Sequence, residues 1–549
     1  MSGMSINPDI FERVDPTTIQ RKFLVGYQGW FTCRGDGAGL EGHEWSHWLR
    51  DCDEDVTASG GGRLATDLWP DMSRYPPSEM YPVPGFKHES GDQAFLFSSC
   101  NSKTVQRHFN WMASHGIDGV FLQRFVGQCQ CDPSSSSHKA ILNWRDKVGD
   151  NVRLAAEAEG RVYSIMYDVS GVNPSHVRKI IEQDWLHLIR DKCVLDSPNY
   201  LHERGKPVVC LWGFGFSKTQ HAPDTVKAIV TFLRESTPRG AYIIAGWSLH
   251  ITAQAVYVHS GVDLKSLLGV PTHWRTADGD SDCNPEFLKL WLNHFDAISP
   301  WTVGRYKNEE DATRYANDIM RADIQLVTAR NQARQGSLGY VDYIPVVLPG
   351  GSGYNMSRGK WAFNNIKREG GRFLWRQIYN ATRNGARIIY GATWDEYDEG
   401  TALMPAVENK LLLPISHHCP LLCLDEDGYR LPTDWYMRIC GLAAECLRGE
   451  REFQEEFPLQ ILQNYGLSRV QLAGQSRNEL LPPPYCSSPS GSPPSVSHKI
   501  WLTSRQRPTS RPLPPIPASS PILSYSNTVG GSLAATTAEA VKDSKSAFF

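Results

Sequence analysis

The stretch Arg387-Ile388-Ile389-Tyr390-Gly391-Ala392-Thr393-Trp394-Asp395-Glu396-Tyr397-Asp398-Glu399-Gly400-Thr401 joins two kinds of chemistry. Its first six residues form a short apolar run bounded by glycine, which predicts a buried strand. Directly after it, four carboxylates fall within five residues. Carboxylates crowded at the C-terminal end of a strand repel one another. A chain carries that cost mainly where one acid must stay protonated beside one that is ionised. A solvated acidic turn is the alternative, and the interleaved Trp394 and Tyr397 argue against it.

Upstream the same grammar repeats. Phe23 to Tyr27 predicts the first strand, and Asn101-Ser102 caps a helix with Val105, Phe109 and Met112 on one face, stopped by Gly116. Strands are predicted over 119–125, 162–168, 207–213, 241–246, 297–301 and 343–349. Helices are predicted over 139–158, from Asn173-Pro174 through Leu188, and over 225–234, 286–294, 309–330 and 373–383. The acidic strand is the eighth, and Thr433-Asp434 caps a last helix through Cys446. Eight strands alternating with helices predict an α/β fold, a (β/α)8 TIM barrel, spanning residues 23–473. A doubly wound sheet is the second choice, disfavoured because no Gly-rich phosphate turn follows the first strand. Residues 1–22 read as an extension and residues 474–549 as a long disordered C-terminal tail.

A barrel of this kind builds its site at the strands' C-terminal ends. There stand Tyr27, Gln28 and Trp30; Gln123 and Arg124; Tyr167 and Asp168; Trp212; Ser299 and Trp301; Tyr354 and Asn355; and Trp394, Asp395, Glu396, Tyr397, Asp398 and Glu399. Aromatics, amides and carboxylates without a lysine or a phosphate cradle describe a carbohydrate cleft. Seventeen Trp and 21 Tyr suit the same purpose, because pyranose C–H faces lie against aromatic rings. A net charge of −3 suggests neither nucleic acid nor an anionic membrane as partner. Met1 to Lys22 is polar, with Pro8 and Pro16, and no apolar run approaches the roughly 18 residues of a membrane span, so a cytoplasmic location is expected. Thirteen irregularly spaced Cys fit a reducing compartment better than a disulfide framework.

The acidic motif resembles a known one. Asp395-Glu396-Tyr397-Asp398-Glu399-Gly400-Thr401, with Pro405, is similar to the Asn-Glu-Trp-His-Glu-Gly-Thr motif of glycoside hydrolase family 99, the endo-α-mannosidases and endo-α-mannanases on a (β/α)8 barrel. A weaker likeness runs to the family 71 α-1,3-glucanases. Gly26-Tyr27-Gln28-Gly29-Trp30-Phe31 and Leu348-Pro349-Gly350-Gly351-Ser352-Gly353 resemble strand-end motifs of a 99/71-like group found in fungi. Asp395, Tyr397 and Asp398 depart from the family's Asn, Trp and His, so its substrate specificity does not carry over. The resemblance implies that Glu396 is the base that deprotonates the sugar's own 2-hydroxyl and that Glu399 is the general acid. No metal and no cofactor is expected. A catalytically dead barrel that binds glycan, or one that scaffolds a partner through the tail, is the rival reading, and the presence of both glutamates favours the enzyme.

Asp278-Gly279-Asp280-Ser281-Asp282 begins like a calcium loop but lacks the glutamate at position twelve, and His417-His418-Cys419 with Cys423 lacks a second ligand pair for zinc. Trp247 to Leu268 makes the loop after the fifth strand unusually long and reads as an insertion, genuine or a retained intron, which sequencing the transcript would decide. From about Gly474 the chain turns Pro-, Ser- and Thr-rich. Within that tail Arg511-Pro512-Leu513-Pro514-Pro515-Ile516-Pro517 fits an SH3-type groove, with Arg511, Pro514 and Pro517 as its contacts. Deleting everything after Gly474 is expected to leave the thermal melt and hydrolysis intact. A large drop in melting temperature would show that the tail packs on the barrel.

Overall fold

The computed structural model describes residues 12–39, 44–50, 63–130, 135–217, 219–246, 271–334, 339–466 and 469. Among them nine parallel strands build one curled sheet. They are β1 Lys22–Tyr27, β2 Gly119–Phe125, β3 Val162–Asp168, β4 Lys206–Trp212, β5 Tyr242–Gly246, β6 Ala297–Ile298, β7 Asp342–Tyr343, β8 Val346–Val347 and β9 Ile388–Gly391. Their order is β7-β6-β5-β4-β3-β2-β1-β9-β8, and the short strand His202–Glu203 adds antiparallel to β4.

The two ends of that order are neighbours in sequence. β7 and β8 are separated only by Ile344 and Pro345, so one segment pairs with β6 through its first half and with β9 through its second. Ile344 N donates to Ile298 O at 2.9 Å on one side, and Tyr390 N donates to Pro345 O at 3.0 Å on the other. Proline has no N–H to give, which is why the predicted strand over 343–349 breaks in two here. The fold is a TIM-like α/β arrangement.

Helices cover the outer face: α1 Ser102–His115, α2 Ser136–Glu159, α3 Val177–Arg190, α4 Pro223–Ser236, α5 Glu286–His294, α6 Glu309–Tyr315, α7 Arg321–Ala333, α8 Arg372–Arg383 and α9 Trp435–Arg448. Asn101 caps α1 as expected, its Oδ1 accepting from Lys103 N at 3.0 Å, and Gly116 ends it in the left-handed region. Three boundaries differ from expectation. Asn173 folds a side-chain turn onto Ser175, so α3 begins only at Val177. The helix predicted over 309–330 passes through a π-helical turn, Ala316–Met320, between α6 and α7. Asp434 makes no cap bond and instead pairs with Arg438 and His115.

The described residues between β1 and α1 carry a second apolar layer. Two antiparallel pairs, Leu49–Arg50 with Arg63–Leu64 and Tyr81–Lys87 with Gln93–Leu96, enclose the buried Trp48, Trp69, Leu96 and Phe97. No helix among the described residues is long and apolar enough to cross a membrane. Trp247 to Leu268, expected to be an insertion, and the tail after Gly474 lie outside the described residues.

Candidate functional site

Side chains of a strand alternate between its two faces, and in a curled sheet one face looks inward. Inward-looking positions are identified by what they touch. Phe121 and Trp212 meet the Tyr390 ring at centroid distances of 5.5 and 5.3 Å, and Trp301 meets it at 6.3 Å. Gly26 and Gly246 belong to the same interior. A Cβ on Gly26 would lie 2.3 Å from the Tyr390 hydroxyl, and one on Gly246 would lie 1.9 Å from the Trp212 indole. Only glycine leaves those rings room.

This alternation splits three expected pairs of site residues, because consecutive strand residues cannot share a face. Gln28, Gln123 and Asp168 take the inner side. Tyr27, Arg124 and Tyr167 turn outward to the helices, which corrects their assignment to the cleft. The Tyr27 hydroxyl meets His108 Nδ1 of α1 at 2.9 Å. Arg124 makes ion pairs to Asp184 at 2.6 Å and Asp146 at 2.8 Å, and the Tyr167 hydroxyl donates to Asp184 at 2.8 Å. Asn355 also leaves the list: its amide donates to the carbonyls of Thr66 and Pro420, tying one loop to another. Tyr397 donates to Pro405 O at 2.9 Å and packs among Phe31, Trp48 and Phe97. Trp30 lies flat between the rings of His47 and Phe125, at 3.9 and 5.1 Å.

The acidic turn is wholly buried, and each of its four carboxyls has a different fate. Asp395 accepts the backbone N–H of Gln28 at 2.7 Å and of Gly29 at 2.9 Å, so it ties the end of β9 to the end of β1. Burial nevertheless lifts it to about 7. Asp398 Oδ2 accepts from His47 Nδ1 at 2.8 Å. Glu396 Oε2 accepts from the hydroxyls of Thr393 at 2.7 Å and Thr401 at 3.1 Å. Glu399 Oε1 has no hydrogen-bond partner among the described residues.

Burial raises both glutamates well above the usual carboxylate range. Asp398 adds to the rise in Glu396, and Glu396 followed by Asp398 adds to it in Glu399. Two coupled acids in a dry site give up their first proton where the anion is better solvated. The two hydroxyls would stabilise an ionised Glu396, and among the described residues Glu399 Oε1 has no such donor. Of the two, Glu396 has the surroundings that favour the anion.

Around this pair lie buried polar atoms with no partner among the described residues: both ends of the Gln28 amide, Gln123 Oε1, the indole nitrogens of Trp212, Trp301 and Trp394, and the hydroxyls of Ser299 and Tyr390. Asp168, held by Gln123 Nε2 at 2.6 Å and Ser170 N at 2.8 Å, is raised to about 7 by burial. Each orphaned polar group costs about 1–3 kcal/mol unless something binds it. Their clustering on one interior is what a polyhydroxylated ligand would satisfy. The groove between α1 and α2, lined by Ser102, Gln106, Arg107, Asn110 and Glu159, shares no residue with this site and presents no aromatic ring. The Asp278 loop spends Asp280 on Arg305, His273 and Thr272, and among the described residues no three His, Cys, Asp or Glu are grouped to hold a metal.

Four contributors had weak or no sequence signal. His47 sits in the loop after β1, far from the motif, and is identified only by its bond to Asp398. Thr393 and Thr401 flank the motif, but nothing in their type marks them as partners of Glu396. Tyr390 was legible as strand, not as an inward phenol.

No family model matches the chain, and no curated protein does. Among solved structures it is similar to the GH99 endo-α-mannosidase from Bacteroides thetaiotaomicron, with 15% identity over 79% of this chain and 99% of that one and a TM-score of 0.45. It is similar also to a glycoside hydrolase-like protein, with 13% identity over 67% of this chain and 91% of that one and a TM-score of 0.39. The catalytic domain of a mannanase from Streptomyces sp. SirexAA-E follows, with 11% identity over 62% and 85% and a TM-score of 0.30. Likenesses this distant carry no argument about chemistry, which rests on the side chains themselves.

Proposed function

We propose that this chain is a glycoside hydrolase on a (β/α)8 barrel that closes through the split segment β7–β8. It cleaves an α-linked poly- or oligosaccharide with Glu396 as base and Glu399 as general acid. The observation that carries the reading is the coupled, buried glutamate pair set among orphaned inward polar groups and indoles. A carboxylate beside a protonated carboxyl supplies both proton movements that glycosidic cleavage requires.

The resemblance of the acidic motif to that of family 99 implies the route. Glu396 takes the proton of the sugar's 2-hydroxyl, and that oxygen attacks the anomeric carbon as the C–O bond to the leaving group breaks. Glu399 gives its proton to the departing oxygen. Water then attacks the anomeric carbon of the resulting 1,2-anhydro sugar: Glu399 takes the water's proton as the C1–O2 bond breaks, and Glu396 returns its proton to the 2-oxygen, which restores both residues. Gln28, Gln123, Asp168, Trp212, Trp301 and Trp394 are the groups placed to hold the sugar.

A digestion screen over α-mannan, α-1,3-glucan and xylan, read by release of reducing ends, tests this. The expected result is cleavage of an α-linked polymer that the Glu399→Gln variant does not match. Binding without cleavage by the unmodified chain would overturn the hydrolase in favour of a glycan-binding barrel.

A further inference from the structure

We propose that His47 is a positioning residue of this site: it compensates Asp398 so that Glu396 can ionise while Glu399 stays protonated. The inference rests on the reading of the two glutamates given above. Three acids of one turn, Glu396, Asp398 and Glu399, share a water-excluded space, and Asp398 adds to the rise of both glutamates. Left as a bare anion, Asp398 would oppose the charge the base needs, since unscreened like charges a few ångströms apart repel strongly.

His47 is built to prevent that. Its Nδ1 donates to Asp398 Oδ2 at 2.8 Å, both side chains are nearly inaccessible, and the imidazole is stacked on Trp30 at 3.9 Å with the planes 3° apart. Trp30 is itself backed by Phe125 at 5.1 Å. His47 takes φ +63°, in the left-handed region that few non-glycine residues enter, Asn, Asp and His more readily than the rest. Asp398 Oδ1 keeps no partner among the described residues, which leaves His47 as the one described group that donates to this carboxylate.

The other ionisable groups around the pair do not do this work. Asp395 is held by the amides of Gln28 and Gly29. Tyr390 and Asp168 from the interior add acidic groups, not cations. The two buried cations nearby are committed to carbonyls, Arg145 to those of Gln28, Gly29 and Gln123, and Arg368 to those of Gly400 and Ala402. Neither can neutralise Asp398 without abandoning the backbone it braces.

The test reads carboxyl titration directly in the full chain, with glutamate side chains carbon-13 labelled at Cδ and assigned through Glu396→Gln and Glu399→Gln. In His47→Ala the Glu396 carboxyl should titrate about one pH unit higher than in the unmodified chain, the size expected for losing one compensating group at this range. His47→Asn, which keeps a donor at the Nδ1 position, should restore more than half of that shift. Asp398→Asn removes the anion and should lower the Glu396 titration. The acid limb of the pH profile of kcat/KM should move in the same directions. If His47→Ala does not fold, His47→Gln, whose longer amide does not donate from the Nδ1 position, carries the test, and an unmoved Glu396 in it overturns the proposal. Titration needs no turnover, so the two readings fail separately. Carboxyl shifts without cleavage of any polysaccharide keep His47 and overturn the hydrolase; cleavage with an unmoved Glu396 does the reverse.

Discussion

Glu399→Gln should lower turnover of a natural glycan roughly a thousandfold or more while sparing far more of the activity on a glycosyl fluoride. A sugar alkoxide is a poor leaving group and needs the proton that Glu399 holds. Fluoride departs without it. The local bonds support the proposed assignment: among the described residues Glu399 Oε1 has no donor to stabilise an anion, whereas Glu396 Oε2 has the hydroxyls of Thr393 and Thr401. Glu396→Gln should fail on both substrates, because no leaving group replaces the base that drives attack at the anomeric carbon. Steady-state kinetics of the two variants on both substrates decide it. Equal losses on fluoride and glycan in both variants would sink the division of roles, and unaltered glycan turnover in either would remove the site itself.

Asp184→Ala should destabilise the fold by about 3–5 kcal/mol, the cost of stranding a buried cation. Arg124 is 4% exposed and Asp184 is fully buried, so water cannot replace the missing partner. Asp146 at 2.8 Å remains, and so does the Tyr167 hydroxyl, now without its acceptor. Replacing both members of the pair, Arg124→Met with Asp184→Leu, should recover most of the loss, because the burial cost of the charges disappears with them. Denaturant unfolding of the single and double variants measures this. A loss below about 1 kcal/mol in Asp184→Ala would show the pair is not a brace. A raised KM with an unchanged melt in Arg124→Met would return Arg124 to the substrate and overturn its outward placement.

The chain's periodicity was enough to find its frame. Apolar runs such as Gly119–Phe125 and Val162–Asp168 are buried on both faces, so they read as strands with nearly correct ends. Asn101 and Gly116 mark the ends of α1 because capping and left-handed termination are local chemistry. The acidic motif was legible for the same reason: its carboxylates are contiguous, and crowding is a property of sequence. Tertiary structure decided everything that depends on direction. Two-sided burial removes the polar alternation that would tell inward from outward, so Gln123 and Arg124 looked equally fit for the site until the helices claimed Arg124. Pro345 split a strand whose halves serve two neighbours, a pairing no local pattern encodes. His47 lies 351 residues from Asp398 along the chain, and only the folded sheet brings its Nδ1 within 2.8 Å of that carboxylate.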